Sequence, residues 1–179
     1  MRAWGQASRR IRRRGPAVAA ALAALAWAAC APDDLQPLAT DAALRRVAVA
    51  VHRDAYGRAV DLAPLLADRA VIYFFRSDCP HCAADVAAAP AVASRPGAPA
   101  VVLVSREGPS RLRAALGPAP RGRLVVVSDS DGAVMGTALP TRFVPRVVGA
   151  AGFHVRLDVT GDRGAGLAAA VDLVKGAPR

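Results

Sequence analysis

The sequence predicts an α/β fold, in which a mixed central β-sheet is flanked by helices on both faces. Its clearest signal is three unbroken apolar runs rich in β-branched or aromatic residues, the pattern of strands covered on both faces. These runs are residues 71–75, 100–105 and 124–128. Helical segments at about 80–93 and 110–116 separate them, so strand and helix alternate as in a parallel layer.

The remaining elements precede and follow this layer. The run 47–51 predicts the first strand, residues 55–58 a turn, and residues 64–67 a short helical turn. Towards the carboxyl end, two apolar runs flank residues 149–152, a pattern that predicts an antiparallel hairpin and makes the sheet mixed. A final helix over about 166–175 closes one face.

The chain is basic, and much of its excess charge lies in the first thirty residues. The formal net charge is +10, and six of the 24 basic residues lie in that stretch without any acidic residue. The rest of the chain carries 18 basic and 14 acidic residues. A domain so close to balance does not predict a nucleic-acid partner.

Residues 1–30 have the organisation of a bacterial signal peptide. After a basic stretch, an apolar run over 17–30 would span about 21 Å as a helix, too short to cross a bilayer. Residues 25–30 resemble a lipoprotein signal in which Cys30 is lipidated, although Trp27 departs from that pattern. Plain cleavage and an uncleaved anchor are the alternatives. The sequence therefore predicts export to the periplasm or the outer face of the cytoplasmic membrane, with membrane attachment through Cys30.

A linker is predicted after this signal. Residues 31–45 hold two prolines and three acids without hydrophobic periodicity, as expected of a tether. The globular domain is then expected over 46–176, and the length of the chain suits one such domain.

The decisive motif is Cys79-Pro80-His81-Cys82, which directly follows a buried strand and opens a helix. A helix start offers unpaired backbone N–H groups and the positive end of the macrodipole, and both stabilise a thiolate on Cys79. Protonated His81 adds a second positive charge, so the pKa of Cys79 is expected to fall. Cys82, one turn later, is placed to attack a mixed disulfide on Cys79 and release the partner.

Other uses of this cysteine pair have less support. With Cys30 lipidated or removed, Cys79 and Cys82 are the remaining cysteines, which cannot build a disulfide framework. Structural zinc needs two further ligands, and the chain has three histidines and no second cysteine pair. Covalent haem needs a histidine directly after the second cysteine, where an alanine stands. We therefore predict no metal and no cofactor besides the redox-active disulfide itself.

On these residues the sequence resembles the thioredoxin-like superfamily, and within it the exported TlpA-like thiol:disulfide oxidoreductases. Residues 57–62 resemble the opening hairpin of the family, residues 71–75 its central strand, and Cys79 to Cys82 its active-site motif. The resemblance extends over about 46–175. It implies a thioredoxin-like fold and dithiol–disulfide exchange with protein clients, in communication with a membrane redox partner.

The same resemblance assigns a client-binding loop to Leu139-Pro140-Thr141. In the family a cis-proline faces the cysteines, and the residue before it pairs backbone to backbone with the substrate. A cis peptide bond is therefore expected before Pro140, with client contacts at Leu139 and Thr141. Pro145 is expected to be an edge-strand feature or a bulge.

Two positions depart from the family pattern. Asp78 precedes the first cysteine, where thioredoxins usually have tryptophan, and its charge would oppose His81 in stabilising the thiolate. Tyr73 stands six positions before Cys79, where thioredoxin carries a buried acid that moves protons for the second thiol. Proton transfer from Cys82 must then use another base or water.

Thiol–disulfide exchange with protein clients is the predicted function, and the direction of electron flow is open. His81 favours a stable reduced form and hence an oxidant, whereas the TlpA-like framework implies a reductant. A peroxiredoxin-like peroxidase is one alternative, although such a nucleophile normally lacks a partner in a C-x-x-C motif. A copper(I) metallochaperone with His154 as third ligand is another, although that family separates its cysteines by three residues. A binding module without redox activity is the third.

Overall fold

The protein is built around a five-stranded sheet, with a separate hairpin of two short strands. The computed structural model describes residues 36–117, 119–120, 122–161 and 166–178. Its strands are β1 (His52–Arg53), β2 (Ala59–Val60), β3 (Arg69–Phe74), β4 (Ala100–Ser105), β5 (Leu124–Ser128), β6 (Arg146–Ala151) and β7 (His154–Thr160). Its helices are α1 (Asp41–Val49), α2 (Ala63–Ala67), α3 (Pro80–Ala93), α4 (Pro109–Leu116) and α5 (Leu167–Lys175), with a π-helix over Ala133–Ala138.

The predicted mixed sheet is confirmed. Its strand order is β5-β4-β3-β6-β7, with β3, β4 and β5 parallel to one another and β6 antiparallel to both of its neighbours. The carboxyl ends of the three parallel strands therefore share one edge, which is where ligands and reacting groups gather in open α/β sheets. The cysteine motif follows β3 at this edge.

Strand β3 is central because both of its faces are covered. Its alternate side chains enter two separate apolar clusters, as the period of two in a strand requires. Ala70, Ile72 and Phe74 pack with α1, α2 and the π-helix. Val71 and Tyr73 pack with α3, α4 and α5, in the cluster that contains Cys82. Helices thus flank the sheet on both faces, as predicted.

The predicted first strand over 47–51 is wrong, because residues 47–49 form the end of helix α1 and the next two residues are not in a strand. Thr40 caps the helix, since its hydroxyl accepts a hydrogen bond from the Ala43 N–H at 3.1 Å. The buried residues of α1 are Ala43, Leu44, Val47 and Ala48. Their spacing places them on one helical face, so the alternation of valine and alanine concealed a helical period. The linker predicted over 31–45 is therefore too long at its carboxyl end.

Two predictions concern residues outside the described part of the chain. The signal peptide over 1–30 and the lipidation of Cys30 both lie there. None of the helices among the described residues combines the length and apolarity needed to cross a membrane.

Candidate active site

Cys79 and Cys82 are joined by a disulfide at the start of α3, with their Cα atoms 5.3 Å apart. Cys79 occupies the N-cap position and is partly exposed, whereas Cys82 is only 1% exposed. Pro80 fills the first helical turn, where its missing N–H group costs no helical hydrogen bond. The exposed His81 follows it. The two sulfur atoms thus differ in access, and Cys79 is the one that a large partner can reach.

The surroundings of Cys82 are apolar. A cavity of about 270 Å³ lies between α3, α4 and the sheet, and Cys82 forms part of its wall. Most of the other lining residues are apolar, among them Phe75, Val86, Leu103, Leu116, Leu124 and Val126. Because an apolar environment disfavours a charged thiolate, the buried cysteine is the weaker nucleophile of the reduced pair.

The carboxylate of Asp78 lies close to two arginines, whose positive charges partly neutralise it. Its carboxylate accepts hydrogen bonds from Arg76 Nε at 3.0 Å and Nη2 at 2.7 Å, and Arg111 Nη2 lies 3.8 Å away. The hydrogen bonds from Arg76, and the positive charge of both arginines, hold the pKa of Asp78 below its usual value. Asp78 is therefore ionised but compensated, so it opposes a thiolate on Cys79 less than the sequence alone predicts.

Glu107 is hydrogen-bonded to Ser77, in the loop between β3 and the cysteines. It accepts hydrogen bonds from the Ser77 N–H at 3.0 Å and the Ser77 hydroxyl at 2.7 Å, and it pairs with Arg111 at 2.8 Å. Sequence reasoning did not identify Glu107. Its position two residues after β4 was the available signal, because β3 and β4 are parallel and end at the same edge.

A carboxylate missed in the sequence lies on the cysteine side of the sheet. The hydroxyl of the fully buried Tyr73 donates a hydrogen bond to Asp85 Oδ2 at 3.1 Å, and Asp85 Oδ1 accepts one from the Leu167 N–H at 3.1 Å. Asp85 is three residues after Cys82 on α3, so the two side chains lie on neighbouring positions of one helical face. A buried tyrosine and an acid from the helix thus occupy the region where the family has an acid on the strand.

Tyr73 predicts a specific alkaline behaviour. Burial, together with the Asp85 carboxylate, raises the pKa of Tyr73 well above its usual value. The unfolded chain then loses this proton above pH 10 while the folded protein keeps it, so stability falls as pH rises. Between pH 10 and 11 the free energy of unfolding of the oxidised protein should fall by about 1 kcal/mol more in wild type than in Tyr73→Phe.

Denaturant titrations at a series of alkaline pH values measure this difference. The background is favourable, because Lys175 is the only lysine and Tyr56 the only other tyrosine in the sequence. Tyr56→Phe serves as the matched control and should leave the alkaline slope closer to that of wild type. Equal slopes in wild type and Tyr73→Phe would contradict the prediction.

The cis-proline prediction was wrong in its position. Among the described residues the cis peptide bond is Val144–Pro145, and not the bond before Pro140. Arg146, the next residue, opens β6 and pairs with Phe74 at the carboxyl end of β3. Val144 packs against the apolar cluster that contains the cysteines. Pro145 is therefore the proline that lies at the cysteine edge of the sheet.

The three residues predicted to contact a client make the following contacts within the domain. Leu139 is only 1% exposed and belongs to the apolar cluster on the other face of the sheet. Thr141 donates its hydroxyl to the Leu139 carbonyl at 2.8 Å and accepts a hydrogen bond from Arg146 at 3.2 Å. The Pro140 carbonyl accepts a hydrogen bond from Arg146 Nη1 at 2.9 Å. Leu139 thus lies in the cluster on the face of the sheet opposite Cys82, and Pro140 and Thr141 contact Arg146; their contact with a client stays a prediction.

The geometry does not support the copper site with His154. His154 begins β7 opposite Ala151, which in turn pairs with Arg69 at the amino end of β3. The cysteines follow the other end of β3, about 17 Å away along a strand of this length. His154 instead lies 2.8 Å from an Asp41 carboxylate oxygen. Within the described residues, no cluster of three or more His, Cys, Asp or Glu side chains is arranged to hold a metal.

No protein-family model and no curated protein sequence matches the chain, but solved structures do. A secreted Mycobacterium tuberculosis disulfide oxidoreductase homologous to E. coli DsbE superposes with a TM-score of 0.59 at 20% identity, covering 72% of this chain and 97% of that one. An exposed lipoprotein thioredoxin of Streptococcus pneumoniae gives 0.56 at 16% identity, covering 69% and 96%. A thioredoxin-like protein of Aeropyrum pernix gives 0.51 at 14% identity, covering 79% and 91%. The chain therefore has a thioredoxin-like fold.

Proposed function

We propose that the protein is an exported thiol:disulfide oxidoreductase of the TlpA-like kind, acting on protein clients. The observation that carries this proposal is the asymmetric disulfide, with Cys79 accessible at a helix start and Cys82 buried beneath it. An inert structural bridge needs no such asymmetry. The thioredoxin-like fold gives it further support.

Export and membrane attachment through Cys30 belong to the same proposal. The amino-terminal sequence pattern supports them, and so do the secreted and lipoprotein neighbours of the fold. The proposal includes a membrane redox partner that restores the oxidation state of the cysteine pair after each exchange. The disulfide is then the only redox centre that the reaction requires.

In the reducing direction the exchange has two steps. The Cys79 thiolate attacks one sulfur of a client disulfide, forming a mixed disulfide and releasing the other client sulfur as a thiolate. Cys82 then loses its proton and attacks Cys79, which releases the first client sulfur as a second thiolate. Two electrons pass from the protein to the client, and the Cys79–Cys82 disulfide is formed. Oxidation of a client dithiol is the reverse of these steps.

The residues around the motif suit these steps. The amino end of α3 and His81 stabilise negative charge on Cys79 when it is the nucleophile or the leaving group. Asp85, hydrogen-bonded to Tyr73, is the carboxylate one turn from Cys82 and accepts the proton that Cys82 must lose. The arginines around Asp78 limit the repulsion that its carboxylate exerts on the thiolate.

The reduction potential of the Cys79–Cys82 pair tests the proposal. The Cys30→Ser protein is equilibrated with glutathione buffers of graded ratio, and with a stronger dithiol reductant for more negative potentials, and the fraction of free thiol is measured. A potential near roughly −120 mV makes it a disulfide donor, and one near roughly −270 mV makes it a reductant. A pair that stays oxidised below about −300 mV and reduces no protein disulfide is a static bridge, and that result would overturn the proposed function.

A further inference from the structure

The described residues leave five large apolar side chains exposed, and one of them is aromatic. They are Leu38, Val49, Val51, Phe143 and Leu173. Phe143 is 50% exposed and lies two residues before the cis-proline. An aromatic side chain buries a large apolar area on contact, and aromatic residues are enriched among those that dominate binding energy at protein interfaces.

The register of the sheet places this ring near the disulfide. Arg146 is opposite Phe74, so the residues just before Arg146 continue past the carboxyl end of β3, where the cysteine loop begins. Val144, the neighbour of Phe143, packs against the cluster that includes Cys79 and Cys82. Phe143 is therefore the chain neighbour of a residue that packs with the cysteine cluster, and a client segment that reaches Cys79 across Val144 would meet it.

The loop that carries the ring is held in place by Gln36. Its amide oxygen accepts hydrogen bonds from the Arg142 N–H at 2.9 Å and the Phe143 N–H at 3.2 Å, and its amide nitrogen donates to the Pro140 carbonyl. Three backbone groups of one loop are thus fixed by a single side chain. A ring presented on an ordered backbone loses less entropy on binding, which favours its use as an anchor.

The charges at this edge largely satisfy one another. Arg76 pairs with Asp78 at 2.7 Å, and Arg111 pairs with Glu107 at 2.8 Å. Each of these pairs is net neutral, so they give a client little reason to be strongly acidic or basic. Beside these pairs, and next to the exposed Arg142, Phe143 adds a large apolar surface at this edge.

We propose that Phe143 is a specificity-determining residue, which binds an apolar side chain next to the reacting cysteine of a client. The proposal deepens the proposed function and rests on it. It applies to an extended client segment lying across Val144, with its cysteine on Cys79 and its apolar neighbour against the ring. Phe143 takes no part in the sulfur chemistry itself.

The test uses single-cysteine peptides whose thiol carries a coloured nitrothiobenzoate leaving group. The full-length protein with Cys30→Ser in every background is reduced; it attacks this mixed disulfide, releases nitrothiobenzoate, and then frees the peptide thiol as the Cys79–Cys82 disulfide forms. One peptide has leucine beside its cysteine and the other has glycine. The symmetrical nitrothiobenzoate disulfide, which has no peptide, reports the intrinsic reactivity of Cys79.

Wild type should react faster with the leucine peptide than with the glycine peptide. Phe143→Ala should lower the rate constant for the leucine peptide by about tenfold and change the other two by less than about twofold. Phe143→Leu, which keeps an apolar side chain, should retain most of the preference. Leu173→Ala is the matched control, because it removes an exposed apolar side chain from α5 and should change none of the three rates.

Two results would overturn the inference while leaving the function intact. One is a wild-type protein that reacts equally well with both peptides. The other is a Phe143→Ala variant that keeps the leucine preference or slows all three reactions alike. A wild-type protein that releases no nitrothiobenzoate from any of the three compounds would instead contradict the proposed function, so the two failures are distinguishable.

Discussion

Replacement of Cys79 by serine is expected to abolish disulfide exchange with proteins, and replacement of Cys82 by serine to trap the client. Cys79 is the accessible sulfur at the helix start, so without it the first step has no nucleophile. Cys82 is buried and serves the second step, so without it the mixed disulfide on Cys79 accumulates. Non-reducing electrophoresis after acid quenching, followed by mass spectrometry, measures the adducts of each variant.

The double variant with serine at both positions is the control for adducts that arise elsewhere. In the full chain Cys30 is the third cysteine, so Cys30→Ser is included in all backgrounds to remove its contribution. Cys82→Ser should yield many times more adduct than Cys79→Ser. Equal adducts from the two variants would show that the order of attack is wrong, and adducts from neither would remove the case for exchange.

The centre of the fold could be predicted from the sequence because its signals are local. The buried strands are recognised in the sequence as continuous apolar runs, and Pro80 indicates the start of helix α3 next to the cysteines. The strand predicted in place of helix α1 was wrong for a physical reason. Alternating valine and alanine satisfy a strand period and a helical period at once, and the Thr40 cap and the packing of Leu44 decide between them.

The position of the cis-prolyl bond could not be predicted from the sequence, because it depends on where β6 begins. The run that precedes residues 149–152 in the sequence extends back to Arg142, whereas the strand it forms begins at Arg146. Because β6 begins later in the chain, Pro145 is the proline at the sheet edge, and the Pro140 carbonyl accepts a hydrogen bond from Arg146. Two prolines five residues apart cannot be ranked from local pattern alone, since the ladder that ranks them joins distant segments.

The missed site residues share that dependence on long-range contacts. Asp85 reads as an ordinary surface acid until Tyr73 and the amino end of α5 meet it. Glu107 gains its role only because parallel strands bring its loop beside Ser77. The cysteine motif itself needed no such information, because nucleophile, partner cysteine and helix start are encoded within four residues.

The largest stability effect is expected at Arg146, which is 0% exposed and joins three segments of the domain. Its guanidinium donates two hydrogen bonds of 2.9 Å to Asp158, one of 2.9 Å to the Pro140 carbonyl and one of 2.8 Å to the Pro37 carbonyl. Arg146→Met keeps an unbranched apolar stem but removes the guanidinium, so the largely buried Asp158 carboxylate keeps its hydrogen bond from the Ala39 N–H and loses its cation. Breaking a buried pair in this way costs about 3–5 kcal/mol in the free energy of unfolding.

Denaturant unfolding of wild type and variants measures this loss, with Arg156→Met as control. Arg156 is an exposed arginine of β7, and its replacement should stay within about 0.5 kcal/mol of wild type. A second variant separates the uncompensated charge from lost packing. If the carboxylate causes the loss, replacing Asp158 by leucine in the Arg146→Met background should restore part of the stability, because removing both charges costs less than removing one. An Arg146→Met protein within about 1 kcal/mol of wild type would contradict the prediction, and would mean that the Ala39 N–H, which already donates to Asp158 at 2.6 Å, is enough to hold this carboxylate.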